Sequence, residues 1–234
     1  MTKIKLPYLL IAIFFVFSFA SMATATTDNS VNLNDLTRSM ELTATDISDD
    51  YTSETYTTTD PEKINELLEY GIATISMDGE VPSEVTITTI IENNITDFDS
   101  NDLNTRNILT VKITNVTYLG RKENVTGSIE HRAGNGPKKF TIGPFKVQNY
   151  CPSIPPKVST GDISRAVGFN VNDKTTFNEK YTLEIPAGKK GSITAVGIYD
   201  GYSYTATASG YTPGSSLNGK AYKVVGISVT KNIY

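Results

Sequence analysis

Chemistry-bearing residues are scarce in this chain: it has one cysteine, one histidine and no tryptophan among 234 residues. A lone cysteine, Cys151, cannot form an internal disulfide, so the fold must hold together by core burial. One His and one Cys also supply too few ligands for a tetrahedral zinc site. Ser-His-Asp or Cys-His catalysis would have to run through His131, which stands beside the turn Ala133-Gly134-Asn135-Gly136-Pro137 with no nucleophile signature near it. Basic residues number 21 against 25 acidic ones and form no cluster, which argues against nucleic acid as a partner. No apolar run reaches the ~20 residues of a membrane-spanning helix, so no membrane anchor is expected.

What is present begins with a leader. Lys3 and Lys5 precede an apolar run from Tyr8 to Ala20, and Ser21-Met22-Ala23-Thr24-Ala25 follows. Basic residues, a short apolar core and a small-x-small motif are the order of a secretory signal, with cleavage near Ala25 and a secreted, extracellular mature chain expected. Removing the two lysines takes the formal charge from −4 to −6. No Cys stands at the new N-terminus, so lipid anchoring there is excluded.

Residues 26–60 are rich in Thr, Ser, Asp and Asn and read as a polar arm or peripheral cover, with Tyr51-Thr52-Ser53-Glu54-Thr55-Tyr56 able to add an edge strand. Then Asp60-Pro61-Glu62 supplies an N-cap, a proline at N1 and a first-turn acid. Ile64, Leu67 and Leu68 fall at helical spacing, and Gly71 is the stop. One short helix over about 61–70 follows.

From Ile72 onward Thr, Val, Ile and Tyr dominate in runs cut by Gly, Pro, Asn and Asp, which is strand chemistry. The strands expected are 72–76, 84–92, 107–119, 124–132, 139–148, 163–171, 176–185, 192–199, 202–208 and 221–229. The fold class expected is mainly β, an antiparallel sandwich or an elongated sheet, over a module spanning 61–234. Its Pro-rich stretch 151–156 reads as a crossover, because three prolines cannot sit in a central strand.

Asp200-Gly201 between two alternating runs predicts a type I′ hairpin. That register puts Ile193, Ala195, Gly197, Tyr199, Tyr202, Tyr204, Ala206 and Ala208 on one surface, in a meander that includes the strand ending at Ile185. If exposed, Tyr199, Tyr202 and Tyr204 form a binding surface suited to glycans, peptides or a second copy of the chain. If buried, they are core.

Asp97-Phe98-Asp99-Ser100-Asn101-Asp102 starts like a calcium loop, but Asp102 replaces the glycine and Ile108 the closing glutamate, so it reads as a polar turn. No metal, cofactor or catalytic residue is assigned. A two-carboxylate glycosidase stays open, since its spacing is spatial. Asn94, Asn115 and Asn124 each begin an Asn-x-Thr sequon, relevant in a glycosylating secretory pathway.

The stretch Ile163-Ser164-Arg165-Ala166-Val167-Gly168-Phe169-Asn170-Val171, then Tyr181 to Ile185 with Pro186-Ala187-Gly188-Lys189-Lys190-Gly191-Ser192-Ile193, and finally Val224-Val225-Gly226-Ile227, resembles a C-terminal segment of uncharacterised secreted β-rich proteins of Gram-positive bacteria. The resemblance covers roughly the last 75 residues and implies export and a β module, with no reaction attached. The Pro-Ala-Gly-Lys turn between Thr-rich and Ser-rich strands is also similar to aerolysin-type and mosquitocidal-type pore-forming proteins. The expectation is therefore a secreted non-enzymatic β protein in an extracellular binding or structural role, its partner a cell wall or glycan surface or itself. A pore-forming protein and a secreted hydrolase are the alternatives.

Overall fold

The computed structural model describes residues 36–93, 111–208 and 216–234. The leader, the Asp97–Asp102 stretch and Asn94 lie outside them. The chain is mainly β, as its sequence implies. Ten strands follow in order: β1 (Glu41–Ile47), β2 (Tyr51–Thr58), β3 (Glu84–Glu92), β4 (Val111–Asn135), β5 (Lys138–Ile142), β6 (Phe145–Gln148), β7 (Lys174–Phe177), β8 (Tyr181–Ile185), β9 (Lys190–Ala208) and β10 (Leu217–Ile233). Two helices lying wholly within the described residues join them, α1 (Pro61–Glu69) and α2 (Thr160–Val167). The main sheet is antiparallel with strand order β1-β2-β3-β10-β9-β4, and β5-β8 and β6-β7 form two small sheets.

Helix α1 forms where its punctuation places it. Asp60 accepts the Glu62 amide at 3.0 Å, Pro61 opens the first turn and Gly71 takes the left-handed φ of 69° just past the C-terminus. Its apolar stripe, Ile64 and Leu67, packs on Val85 and Ile87 of β3. Residues 72–76, expected as a strand, instead turn back over the helix end, with Ile72 and Ala73 both donating to the Leu67 carbonyl.

Residues 41–58 of the expected arm form the β1–β2 hairpin, and β2 pairs along its whole length with β3. Residues 107–119 and 124–132 were expected as separate strands. The described part is one strand, β4, of 25 residues, against the usual 3–10. It is an edge strand, and its register against β9 shifts at Thr114/Thr117, Tyr118/Gly120, Glu123/Ser128 and Ser128/Glu130. Such bulges blunt an open edge against pairing with other chains.

Two corrections concern element type. Residues 163–167 belong to α2 and 168–171 follow it outside any strand: Ser159 and Asp162 make a reciprocal capping box with both bonds at 3.1 Å, and Gly168 closes the helix at φ 80°. Local capping overrides the β-branched run. The Asp200-Gly201 hairpin is also absent, because β9 runs straight through it. Asp200 pairs with Lys223 on β10 and Arg121 on β4, while Gly201 pairs with Tyr222 and Gly120. A Cβ at Gly201 would stand 3.1 Å from the Tyr222 ring, so the glycine serves a close approach and not a turn. The meander fails as well, since β8 pairs with β5 outside the main sheet.

Faces follow from register, because residues opposite one another in an antiparallel pair share a side. Along β9, Ile193, Ala195 and Tyr199 join one core cluster while Tyr204 and Ala206 join another, with no shift on β9 between them. Odd and even positions put the two clusters on opposite faces. The small sheets supply Ile142, Phe145, Phe177 and Leu183 to the first face. On the second, α2 supplies Ile163 and Val167, and by the same parity on β3 α1 covers Val85 and Ile87.

Candidate functional site

The expected tyrosine surface does not form. Tyr199 and Tyr204 are each 1% exposed and lie on opposite faces. The reason is glycine pairing: Gly197 leaves room for the Tyr199 ring on its own strand, and Gly219 leaves room for the Tyr204 ring across the β9–β10 ladder. Tyr202 is half-buried between Tyr118 and Phe169, each with its ring centroid 5.5 Å away. Among the described residues the exposed tyrosines are Tyr70, 45% exposed at the end of α1, Tyr118, 54% exposed on β4, and Tyr150, 37% exposed beyond β6. Tyr118 is fixed by its hydroxyl, which donates to Asp200 at 3.0 Å, where Arg121 Nε also donates at 3.2 Å.

Tyr150 is held by the main sheet. Its N–H donates to the Tyr222 carbonyl at 2.9 Å, the Tyr222 N–H returns the bond at 2.8 Å, and the two rings stack at 6.1 Å. Next to it, Asn149 Oδ1 accepts the Val224 amide at 2.7 Å and Asn149 Nδ2 donates to the Asn170 carbonyl at 2.7 Å. Pairing of β3 with β10 ends at Gly226, so residues 149–150 take the edge of β10 that β3 leaves open. The Pro-rich stretch 151–156 then leads, outside any strand, to α2 on the other face.

A cavity of about 440 Å³ opens beside this seat, walled by β4, β6 and the segments around Ile154 and Asn172, with Tyr199 among its lining residues. Amides and hydroxyls dominate its polar lining: Gln148, Asn149, Asn172, Thr126 and Thr160. Among the described residues its lining holds no carboxylate and no histidine, and Lys146 is the one cation. Thr126 and Tyr199 share a hydroxyl–hydroxyl bond of 3.0 Å there. Burial pushes the Tyr199 phenol up. A second cavity, of about 600 Å³, is lined by Asn115, Thr117, Ser203, Thr205, Asn218 and Lys220 with Pro152, Ser153 and Tyr204.

Cys151 stands at the junction. Its thiol donates to the Lys220 carbonyl at 3.4 Å and lies 3.8 Å from the Tyr204 hydroxyl, and burial pushes its pKa up. A raised, hydrogen-bonded thiol is a poor nucleophile. His131 is elsewhere on β4, exposed, with Nδ1 2.8 Å from Thr194 Oγ1, so the two residues share no partner. Among the described residues, no three His, Cys, Asp or Glu side chains stand close enough to hold a metal ion.

One titratable group escapes any sequence reading. Glu123 on β4 is half-buried with one carboxylate oxygen shut off from solvent, and this desolvation pushes its carboxyl up to about 7. Glu123 Oε1 and Ser228 Oγ have no hydrogen-bond partner among the described residues. Of the sequons, Asn115 and Asn124 are exposed at β4 bulges with φ of 54° and 55°. Among the described residues, no helix is long and apolar enough to cross a membrane, which says nothing of a β-barrel. Compared with protein-family models, curated proteins and solved structures, the chain matches none of them.

Proposed function

We propose that this is an extracellular, non-enzymatic binding protein that takes an uncharged, hydrogen-bonding ligand in the cavity beside Tyr150. The observation that carries this reading is the lining of that cavity: amides, hydroxyls and aromatic rings on a fixed wall, without a carboxylate or histidine among the described residues. Its volume of about 440 Å³ is in the range of small-molecule sites. The wall is preorganised, since both backbone groups of Tyr150 are bonded to Tyr222 and both ends of the Asn149 amide are engaged. A rigid wall spares the ligand the cost of ordering it.

Calorimetric titration of the full mature chain with neutral oligosaccharides and with capped dipeptides tests the reading. Binding that falls about tenfold or more in Tyr150→Ala supports it, a loss of the size expected for a central aromatic contact. Absence of binding to every probe, or binding indifferent to Tyr150, overturns it.

A second reading, pore formation, is favoured by one observation. Strands β9 and β10 are 19 and 17 residues long, and Tyr202, Tyr204 and Ala206 alternate with Ser203, Thr205 and Thr207. A membrane strand needs about ten such residues. Dye release from phosphatidylcholine vesicles, with detergent-resistant oligomers, would favour this reading over the first. Intact vesicles and a monomer would remove it.

A further inference from the structure

The two cavities share a boundary segment. Cys151 lines the first and Tyr204 the second, and Cys151 Sγ lies 3.8 Å from Tyr204 Oη. Both flank the same short segment: Tyr150, Cys151 and Ile154 face one cavity, Pro152 and Ser153 the other. Their chemistry is also the same. The second cavity presents hydroxyls and amides from Thr117, Thr205 and Asn218 with one cation, Lys220, as the first presents Gln148 and Asn172 with Lys146.

We propose that the two cavities are subsites of one extended site for a linear, uncharged polysaccharide that crosses the 150–154 segment. The proposal rests on the reading of the first cavity as a binding site and names its ligand class. Sugar hydroxyls pair with neutral amides and hydroxyls, and the slightly positive C–H faces of a pyranose suit the negative face of an aromatic ring such as Tyr150. An extended peptide is disfavoured because peptides add to an open strand edge, and the edge of β10 at Tyr222 is already closed by Tyr150. A polyanion is disfavoured because each cavity offers one lysine in a chain of net charge −4.

The test is chain-length dependence. The full mature protein is titrated with β-1,4-linked N-acetylglucosamine oligomers and with cello-oligosaccharides, each from the disaccharide to the hexasaccharide. The expected result is weak disaccharide binding and a gain of about tenfold or more by the hexasaccharide, as a second subsite adds to the first. Thr117→Val combined with Thr205→Val, which keeps strand-forming side chains and removes two hydroxyls from the second cavity, should abolish that gain and leave the disaccharide affinity unchanged. Equal affinity at every length overturns the extended site while leaving the first cavity a binding site. Loss of disaccharide binding in the double variant, with its thermal midpoint unchanged, equally overturns the assignment of separate subsites. No binding at any length overturns both.

Discussion

Asn149 accepts the amide of Val224 at 2.7 Å, at the point where β10 carries an extra residue between Val224 and Gly226. The same side chain donates to the Asn170 carbonyl at 2.7 Å, so one residue joins β10, the end of β6 and the segment after α2. Replacing it with alanine leaves a partly buried N–H and a carbonyl without their partner. The expected cost for Asn149→Ala is about 2–3 kcal/mol in urea unfolding, the desolvation penalty of the orphaned groups. If the cavity wall depends on this seat, ligand affinity falls in the same variant. Wild-type stability would show that Asn149 is not the anchor.

Glu123 gives a pH dependence with a definite sign. Its folded value, about 7, lies above the ordinary 4.5, so between those pH values the folded protein keeps a proton that the unfolded chain has lost. Stability from this group is full below about pH 4.5, declines as pH rises and is flat above about 7. Glu123→Gln has no proton to lose. It should remove that decline and stand roughly 2–4 kcal/mol above the wild type at pH 8, relative to their difference at pH 4.5. Denaturant titrations of both proteins at the two pH values measure this. Parallel profiles would place the ionised carboxylate in contact with a neutralising partner.

How much was legible in the sequence depends on how local the cause was. Helix α1 is written in Asp60, Pro61 and Gly71, and β3 in an uninterrupted β-branched run, and both stand where those residues put them. Helix α2 was legible too: Ser159, Asp162 and Gly168 form a full set of caps, although Val167 and Val171 suggest strand. Asp200-Gly201 misleads for the opposite reason. Its turn chemistry is overruled by partners distant in sequence, Tyr118 and Arg121 on the carboxylate and the Tyr222 ring over the glycine. The tyrosine face fails with it, since removing the turn shifts Tyr202 and Tyr204 to the opposite parity from Tyr199. The cavity beside Tyr150 had no local signal, because its walls come from β4, β6 and residues past α2.

The capping box of α2 makes a test of which local signal governs residues 160–167. Ser159→Ala removes the acceptor for the Asp162 amide and should cost about 1 kcal/mol. Ser159→Thr, which keeps the oxygen, should cost little. Thermal unfolding followed by circular dichroism separates the two, and equal losses would mean that packing of Ile163 and Val167 alone holds the helix.

Asp200 decides whether the continuous β9 is held by its partners. The carboxylate is nearly buried and satisfied by the Tyr118 hydroxyl and Arg121 Nε, two charge-assisted bonds from the bulged edge strand. Asp200→Asn keeps the shape and the turn propensity but removes the charge that Arg121 pairs with. It should destabilise by roughly 1–3 kcal/mol, the range for hydrogen bonds to charged groups, and loosen β4 around Tyr118. Asp200→Thr removes both the charge and the turn signal while adding a strand former. If residues 200–201 were a turn, the threonine variant would be far the worse, because its branched side chain resists the positive φ a type I′ turn requires. In a continuous strand the two variants should fall within about 1 kcal/mol of each other, the span of strand propensity. Amide hydrogen exchange at Lys223, opposite Asp200 on β10, reads the same question directly, whereas the Tyr222 amide is held by Tyr150 on the other side of the strand. Protection there in the wild type and in both variants is the expected outcome, and rapid exchange in the wild type would restore the hairpin.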